Sequence, residues 1–310
     1  MPSFRAWLRD TTRPRHDCSS NRRLAVPIPP AEDAAEPDAD YGTTMEFTAA
    51  RDLDDALTTK AQQPDTQLLA GGTDLMVEVN LAHHRPARVL SLRRVEELRE
   101  ITPERIGAGA TWAHLEHSEH RALAQAARTV GSTQIRAAGT IGGNIGTASP
   151  AGDGLPWIAA ANAQIVVRSA ERGERTIPWN EFFVGVKRTS LESDEVITAV
   201  AVPADLPVSQ EFAKVGARNA MVISTVSCVV MAGDDGFRVA LGSVAPTPIR
   251  ATRAEAMINA ESSISDAALE EFARIVSNEV RPITDHRSTE AYRRHAAGVL
   301  ARRLVERSLR

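Results

Sequence analysis

The chain has 310 residues, of which 43% are hydrophobic, and its formal net charge is −4 at neutral pH. This length allows two domains with packed cores. The negative charge and an aromatic content of 4% exclude any electrostatic or stacking basis for nucleic-acid binding. There is no apolar run of eighteen residues and no apolar signal segment at the start, so we expect a cytosolic protein without membrane insertion. Two cysteines, Cys18 and Cys228, cannot build an iron–sulfur cluster or a four-cysteine zinc site, so any iron–sulfur chemistry must come from a partner.

The first 44 residues differ in composition from the rest of the chain. Six arginines are followed by the acidic run AEDAAEPDAD, which prolines interrupt. This pattern predicts a disordered tail, and a transit peptide is the less favoured alternative. A regular pattern of strand and helix begins at Met45, which is a candidate for the natural first residue.

Short elements alternate after Met45. The patterns predict a strand and helix in MEFTAARDLDDALTTKAQ, a strand in TQLLA, a turn in GGTD, a short helix in LMVEVNL and a strand in RVLSL. A helix is expected over residues 119–130 with Ser118 as its N-cap, followed by strands in QIVVRS, TIPW and EVITAVAVP. The alternation predicts an α/β or α+β domain over residues 45–206.

The last hundred residues predict a second domain over residues 207–310. Pro203 and Pro207 mark a linker between the two. VSCVVMAGDDGFRVALGSV predicts a β-hairpin with a turn at its Asp-Asp-Gly sequence. Helical patterns follow it at residues 252–260, 266–280 and 289–309.

Two stretches rich in glycine and small polar residues lie in the first domain, LLAGGTDL at residues 68–75 and RAAGTIGGNIGTASPAGD at residues 136–153. We interpret both as loops. Glycine lets backbone N–H groups approach a ligand closely, and consecutive N–H groups form anion-binding nests. Two such loops indicate a dinucleotide whose pyrophosphate lies between them. A single AGGTD more often forms an ordinary strand-to-helix turn, and neither stretch has the Rossmann or P-loop spacing.

Together with FAKVGARNAMVIS at residues 212–224, these stretches resemble the FAD-binding medium subunit of the molybdenum hydroxylases, the xanthine dehydrogenase and carbon monoxide dehydrogenase family. Three motifs in the family's order are more specific than one. The resemblance implies an α+β fold. It combines a two-subdomain FAD-binding domain of the vanillyl-alcohol oxidase/p-cresol methylhydroxylase type with a small C-terminal domain of antiparallel sheet and helices.

The resemblance also implies a site for non-covalent FAD. Residues 68–75 would wrap the pyrophosphate and residues 140–144 would hold it from the other side. Asp153 would bind sugar or ribityl hydroxyls, Ile197 would line the isoalloxazine, and Lys214 would lie beside the flavin. Lys214 is one of only three lysines among 36 basic residues, which suggests a position that needs a compact ammonium. The expected cofactor-binding residues are Leu68, Leu69, Ala70, Gly71, Gly72, Thr73, Asp74, Leu75, Thr140, Ile141, Gly142, Gly143, Asn144, Ser149, Asp153, Ile197 and Lys214.

The function implied by the resemblance is electron transfer within a complex. A large partner subunit would carry the molybdenum cofactor and oxidise the substrate, and an iron–sulfur small subunit would pass the electrons through [2Fe–2S] clusters. This chain would deliver them through FAD to NAD⁺, O₂ or another acceptor, in a dimer of heterotrimers. We expect no catalytic residue and no metal site in the chain itself. A free-standing flavin oxidase and a non-enzymatic scaffold are the alternatives.

Two further features of the sequence are a run of spaced histidines and a single arginine in the third motif. The spacing His114-x-x-His117-x-x-His120 suggests a metal site, but a helix would not bring all three to one face, so we predict exposed histidines. Arg218 either shapes access of the acceptor to the flavin or is an ordinary surface arginine.

Overall fold

The structure is a computed structural model that describes residues 45–309, so the predicted disordered tail lies outside the described residues. Within that range no helix is both long and apolar enough to cross a membrane. The architecture is α+β, with a first domain of two sheets and several helices followed by an antiparallel sheet and helices, which confirms the predicted fold class.

The first layer is a small parallel sheet with strand order β1-β3-β2. Asp52 caps the helix that follows its first strand, because its side chain accepts a hydrogen bond of 2.8 Å from the N–H of Asp55. Ala56 and Leu57 of that helix are buried against the sheet. The elements are β1 (Glu46–Ala49), α1 (Leu53–Gln62), β2 (Gln67–Leu69), α2 (Leu75–Asn80) and β3 (Arg88–Ser91).

The second sheet of this domain is antiparallel, and a block of helices packs against it. Trp157, Leu123 and Ile165 are fully buried in the shared core. A short hairpin extends from the sheet. The strands are β4 (Arg105–Gly107), β5 (Gln164–Ser169), β6 (Gly173–Pro178), β7 (Phe183–Gly185), β8 (Arg188–Thr189) and β9 (Val196–Ala201), ordered β4-β9-β5-β6 with β7-β8 apart. The helices are α3 (Trp112–Leu115), α4 (Arg121–Thr129), α5 (Thr133–Ala138), α6 (Ile141–Thr147), α7 (Leu155–Ala160) and α8 (Trp179–Phe182), and a 3₁₀ turn spans Glu96–Arg99.

The C-terminal part begins after the proline-containing segment 202–208 and forms an antiparallel sheet with three helices on one face. The predicted hairpin is present, and Gly236 follows its turn with φ +94°, a conformation that favours glycine. The predicted helices are also present. The elements are β10 (Ser209–Val215), β11 (Val226–Gly233), β12 (Gly236–Gly242), β13 (Ile249–Arg250), α9 (Thr252–Asn259), α10 (Asp266–Glu279) and α11 (Glu290–Ser308), and the sheet order is β10-β11-β12-β13.

Both faces of this sheet are buried. Successive side chains of a strand point to opposite faces, and in β11 Cys228 and Val230 join the core beneath α9 to α11. Val229 and Met231 join the core of the first domain instead, where α4 and α7 contact the sheet. The two parts of the chain are therefore packed directly against each other through the sheet.

One predicted boundary is wrong. The helix expected from residue 119 begins at Arg121, and its N-cap is His120. Ser118 lies outside the helix, where its Oγ accepts a hydrogen bond of 3.2 Å from the N–H of His120. The serine thus closes a local turn before the helix, a common competing role for this residue type.

Candidate functional site

The two glycine-rich stretches meet in space. Gly71 lies so close to the end of α5 that a Cβ at this position would be 1.9 Å from the carbonyl oxygen of Ala138. Farther along, the hydroxyl of Thr147 donates a hydrogen bond of 3.2 Å to Oδ2 of Asp74. The structure therefore brings together the two segments that the sequence indicates, although about seventy residues separate them.

The turn from β2 to α2 presents a run of unused donors. Within the described range 45–309, no acceptor takes a hydrogen bond from the backbone N–H groups of Gly71 to Leu75. Gly72 has φ +72°, which orients neighbouring amides in the way that anion-binding nests require. These residues are half-buried, apart from the exposed Asp74, so the donors are open to a ligand.

Residues 141–147 of the second stretch form helix α6, which corrects the interpretation of the whole stretch as a loop. Thr140 caps α6, because its Oγ1 accepts a hydrogen bond of 3.0 Å from the N–H of Gly143. Gly142 cannot carry a side chain, since its Cβ would lie 2.6 Å from Cβ of Ala108. Close packing thus requires this glycine, and the cap with the surrounding contacts overrides its weak helix propensity.

The first N–H groups of α6 already have partners. Ile141 donates to the carbonyl of Ala110 at 3.0 Å, and Gly142 donates to that of Ala108 at 2.9 Å. Gly143 donates to the capping Thr140. The helix therefore cannot offer these three amides to a cofactor. A Cβ added to the half-buried Gly143 would be 3.1 Å from Oγ1 of Thr140 and 3.9 Å from Cβ of Ala70, so α6 lies close to the end of the first stretch here.

Asn144 faces the turn that precedes α7. A Cβ at Gly152 would be 2.8 Å from Nδ2 of Asn144, and a Cβ at Gly154 would be 2.9 Å from its Oδ1. Within the described part of the chain, this buried Oδ1 has no hydrogen-bond partner. A buried acceptor without a partner in this part of the structure is a position that a ligand donor can occupy.

Asp153 and Lys214 form an ion pair. Nζ of Lys214 is 2.7 Å from Oδ2 of Asp153, and the two side chains are only 9% and 8% exposed. The hydroxyl of Ser224 donates to the other carboxylate oxygen at 2.5 Å. Burial raises the pKa of Asp153, and the Lys214 ammonium and the Ser224 hydroxyl oppose that rise.

The remaining expected residues lie around the same region. Ile197 is on β9, 7% exposed, and its Cδ1 is 3.5 Å from where a Cβ of Gly146 would lie. Ser149 lies in the turn after α6, with its Oγ accepting a hydrogen bond of 3.4 Å from the N–H of Ala151. Leu68 is half-buried and packs against the small core of the parallel sheet.

Sequence reasoning missed the partners of the ion pair. Ser224 lies at the end of the third motif and Thr129 at the end of α4, and each contributes an oxygen to the Asp153–Lys214 cluster. Neither has a local signal, because every residue has a backbone carbonyl and serine is common in the loops between strands.

The three histidines do not share a site. His120 is buried, with Nε2 2.9 Å from the carbonyl oxygen of Pro103 and its ring 5.3 Å from that of Trp157, which corrects the prediction that it is exposed. His114 and His117 are exposed. Across residues 45–309 there is no group of three His, Cys, Asp or Glu side chains arranged to hold a metal ion.

These observations fit a dinucleotide. The amides of Gly71 to Leu75 suit a diphosphate, and the glycines of the two stretches leave backbone without side chains where the stretches meet. Helix α2 has no buried residue although it carries Leu75, Met76, Val77 and Val79, as expected of a helix whose apolar side chains are covered by a bound molecule or a partner.

Comparisons with known proteins agree with this geometry. Residues 43–205 match the family described as FAD binding domain in molybdopterin dehydrogenase, and residues 211–308 match the CO dehydrogenase flavoprotein C-terminal domain. The xanthine dehydrogenase FAD-binding subunit of Escherichia coli O157:H7 is 31% identical over 280 residues, with 85% of this chain and 95% of that protein covered.

Two further similarities concern carbon monoxide dehydrogenase of Hydrogenophaga pseudoflava. Its medium chain is 29% identical over 276 residues, which cover 84% of this chain and 96% of that one. A solved structure of the enzyme, in a form that lacks the Mo-pyranopterin moiety of its molybdenum cofactor, superposes with a TM-score of 0.80 at 29% identity and covers 86% of this chain and 97% of that one.

Proposed function

The chain belongs to the family of FAD-binding subunits of the molybdopterin dehydrogenases, and from that premise we propose that it relays electrons within a multi-subunit molybdenum hydroxylase. Electrons would arrive from [2Fe–2S] clusters on a small partner subunit and leave to NAD⁺, O₂ or another acceptor. Substrate oxidation would occur at the molybdenum cofactor of a large partner subunit.

The observation that carries the proposal is the run of unpaired amides from Gly71 to Leu75. Five N–H groups in a turn with a left-handed glycine provide a preformed site for a diphosphate. Thr140 to Asn144 would line the opposite side, mainly through the open backbone at Gly143. Ile197 of β9 would line the apolar part of the site, next to α6.

When bound, FAD supplies the capacity to accept and release two electrons, together or singly. The chain's own residues bind and orient it and limit the access of water. No proton has to move at a protein atom for this role, so we assign no catalytic residue. The exposed Arg218, whose Nε donates to the carbonyl of Met221 at 3.2 Å, lies on a loop of the second domain, and we assign it no cofactor contact.

Exposed apolar side chains beside the site suit a partner subunit. Val77 of α2 and Leu81, the C-cap of that helix, are 53% and 59% exposed. Val184 and Val186 of the β7–β8 hairpin are 50% and 56% exposed. The ion pair between Glu78 and Lys187 holds the hairpin to α2. We assign this surface to the iron–sulfur subunit, within a dimer of heterotrimers.

The experiment that tests the proposal uses the purified full chain. Its absorption spectrum is recorded, and the cofactor released on denaturation is identified by chromatography. We expect flavin bands from FAD, no substrate turnover by the chain alone, and electron transfer to an acceptor only after the iron–sulfur and molybdenum subunits are added.

Two results would contradict the proposal. A colourless chain that takes up no added FAD would indicate a non-enzymatic scaffold. Turnover of a small substrate by the isolated chain would indicate a free-standing flavin oxidase. The division into domains 45–206 and 207–310 is tested in the same preparation, since limited proteolysis of the linker should cut between residues 202 and 209.

A further inference from the structure

One arginine of the last helix is buried at the ends of two strands of the second domain. Arg293 lies near the start of α11 and is only 4% exposed. Charged side chains are rarely buried to this extent unless several partners satisfy them. The partners of Arg293 therefore indicate its role.

The guanidinium of Arg293 joins three segments of the chain. Nη1 donates hydrogen bonds to the carbonyl of Thr225 at 2.7 Å and to that of Ser243 at 3.0 Å. Nη2 donates to Oδ1 of Asp285 at 2.8 Å, in the segment before α11. Thr225 directly precedes β11 and Ser243 directly follows β12, so one planar group fixes the ends of two neighbouring strands.

The turn of residues 149–153, which follows α6, is attached to the second domain at two points. The carbonyl of Pro150 accepts a hydrogen bond of 2.8 Å from the N–H of Ser243. Oδ1 of Asp153 accepts one of 2.5 Å from the hydroxyl of Ser224. The guanidinium holds the carbonyl of the first of these serines and the carbonyl of the residue after the second, so it fixes both attachments.

Ser243 has a backbone conformation that needs support. Its φ is +63°, in the left-handed region that residues with a Cβ rarely occupy. Such a conformation persists only where the surrounding structure imposes it. Here Arg293 holds the carbonyl of Ser243, and the turn holds its N–H at Pro150. Loss of the guanidinium would remove one of these two restraints.

The turn of residues 149–153 belongs to the proposed FAD site. Ser149 and Asp153 are among the residues that we expect to bind FAD, and a Cβ at Gly152 would be 2.8 Å from Nδ2 of Asn144. A shift of the turn would therefore displace Ser149 and Asp153 and change the surroundings of Asn144. A site that is already ordered binds its ligand more tightly, because less ordering is needed on binding.

We propose that Arg293 is a positioning residue for the FAD site, although it lies on the last helix of the second domain. It fixes the two strand ends that hold the turn of residues 149–153, and it thereby preorganises the turn for FAD. The identity of the ligand rests on the proposed function, whereas the attachment of the turn rests on the hydrogen bonds described above.

The test compares the full chain with three variants. Arg293→Met removes the guanidinium, and Arg293→Lys keeps a cation for Asp285 and decides the same comparison if the methionine variant does not fold. Arg294→Met is the matched control. Arg294 lies on the same helix and also donates to two carbonyls, those of Ser277 and Val280 at the end of α10, which are not strand ends.

Three measurements distinguish a positioning role from a loss of stability. Fluorescence titration of the apo chain gives the Kd of FAD. Visible circular dichroism of the bound flavin reports its surroundings, which a merely structural role of Arg293 would leave unchanged. Hydrogen exchange of the apo chain, followed by mass spectrometry, reports the turn, because the N–H groups of Gly152 and Ser243 donate to the carbonyls of Ser149 and Pro150.

We expect Arg293→Met to bind FAD about tenfold more weakly than the wild type, to alter the circular dichroism of the flavin, and to exchange the amides of Gly152 and Ser243 faster. Arg293→Lys should show smaller changes in the same direction, because an ammonium lacks the planar fork that bridges the two carbonyls. Arg294→Met should match the wild type in all three measurements, even if urea unfolding shows a comparable loss of stability.

Wild-type FAD affinity and flavin dichroism in a folded Arg293→Met variant would overturn the proposal. Equal weakening of FAD binding in Arg293→Met and Arg294→Met would overturn it as well, since that result indicates general destabilisation. If the wild type bound no FAD, the proposed function would fail, and the exchange comparison on the apo chain would still decide whether Arg293 holds the turn.

Discussion

Two of the three lysines occupy positions with several separate acceptors. Lys60 donates to the carbonyls of Pro64 and Thr66 at 2.6 and 2.7 Å, and Lys214 has three acceptors. An ammonium is a compact charge whose three donors can rotate towards separate oxygens. The scarcity of lysine in the sequence therefore indicated special positions, but the acceptors come from distant segments, which no local pattern reveals.

The Lys214→Met variant should acquire a stability that depends on pH. Without the ammonium, burial is the main influence on the Asp153 carboxyl. The pKa of Asp153 in the folded chain therefore rises further above its value in the unfolded chain, about 3.9. Between these two values the folded chain binds more protons than the unfolded chain, so the free energy of unfolding falls as the pH rises.

Urea unfolding at pH 5 and pH 8 checks this expectation. The stability deficit of Lys214→Met relative to wild type should be larger at pH 8, and Asp153→Asn/Lys214→Met should show no such difference. A deficit of the same size at both pH values would mean that Asp153 does not titrate as a buried, unpaired acid.

Gly143→Val should weaken FAD binding by at least about tenfold, or about 1.4 kcal/mol, without unfolding the C-terminal domain. Its Cβ would lie 3.1 Å from Oγ1 of Thr140 and 3.9 Å from Cβ of Ala70, so the side chain of valine would crowd the cap of α6 and cover the backbone that the cofactor is proposed to approach. FAD titration followed by fluorescence measures the effect.

The control is Gly185→Val, whose added Cβ would approach only the side chain of Arg188, at 3.9 Å. It should bind FAD like the wild type. Undiminished FAD affinity in Gly143→Val would refute the placement of the cofactor against the backbone at Gly143.

Among the elements, α6 shows where sequence reasoning reached its limit. Glycine costs about 1 kcal/mol per residue in a helix relative to alanine, so IGGNIGT predicts a loop. Close packing of Gly142 on Ala108 and the cap at Thr140 make it helical, and both depend on tertiary structure. In contrast, α9 to α11 were predictable because their apolar residues recur with a helical period.

Thr140→Ala should destabilise α6 by about 1 kcal/mol, the usual value for a lost N-cap, and weaken FAD binding with it. The N–H of Gly143 would lose its acceptor. Thr140→Ser keeps the hydroxyl and should behave like the wild type. Melting temperatures and FAD titrations of the two variants measure the effect, and equal behaviour of both would show that the cap is dispensable.

At the scale of the whole molecule, the sequence predicted a hairpin and helices but not what lies on each face of the sheet. The run VSCVVMAG in β11 lacks the apolar–polar alternation of a half-exposed strand, which is typical of a strand buried on both faces. The second face could be covered by helices of the same domain or of another domain. Long-range packing decides between the two, and no local sequence pattern reveals it.

A fragment of residues 207–310 should therefore not form a soluble monomer. It would expose Phe212, Val229, Met231 and Ala240, which are buried in the core of the first domain, and a bare apolar sheet face promotes association. Size-exclusion chromatography with light scattering checks this, and co-expression with residues 45–206 should restore solubility. A folded, monomeric fragment would show that the interface is dispensable.

The doubly covered sheet also bears on how the chain is made. Helices α4 and α7 leave the ribosome before β10 to β12, so the surface that receives the second sheet can exist before the sheet does. The earlier half of the protein would then act as a template for the later half. The face of the sheet that contacts α4 and α7 could then be covered as soon as its strands form.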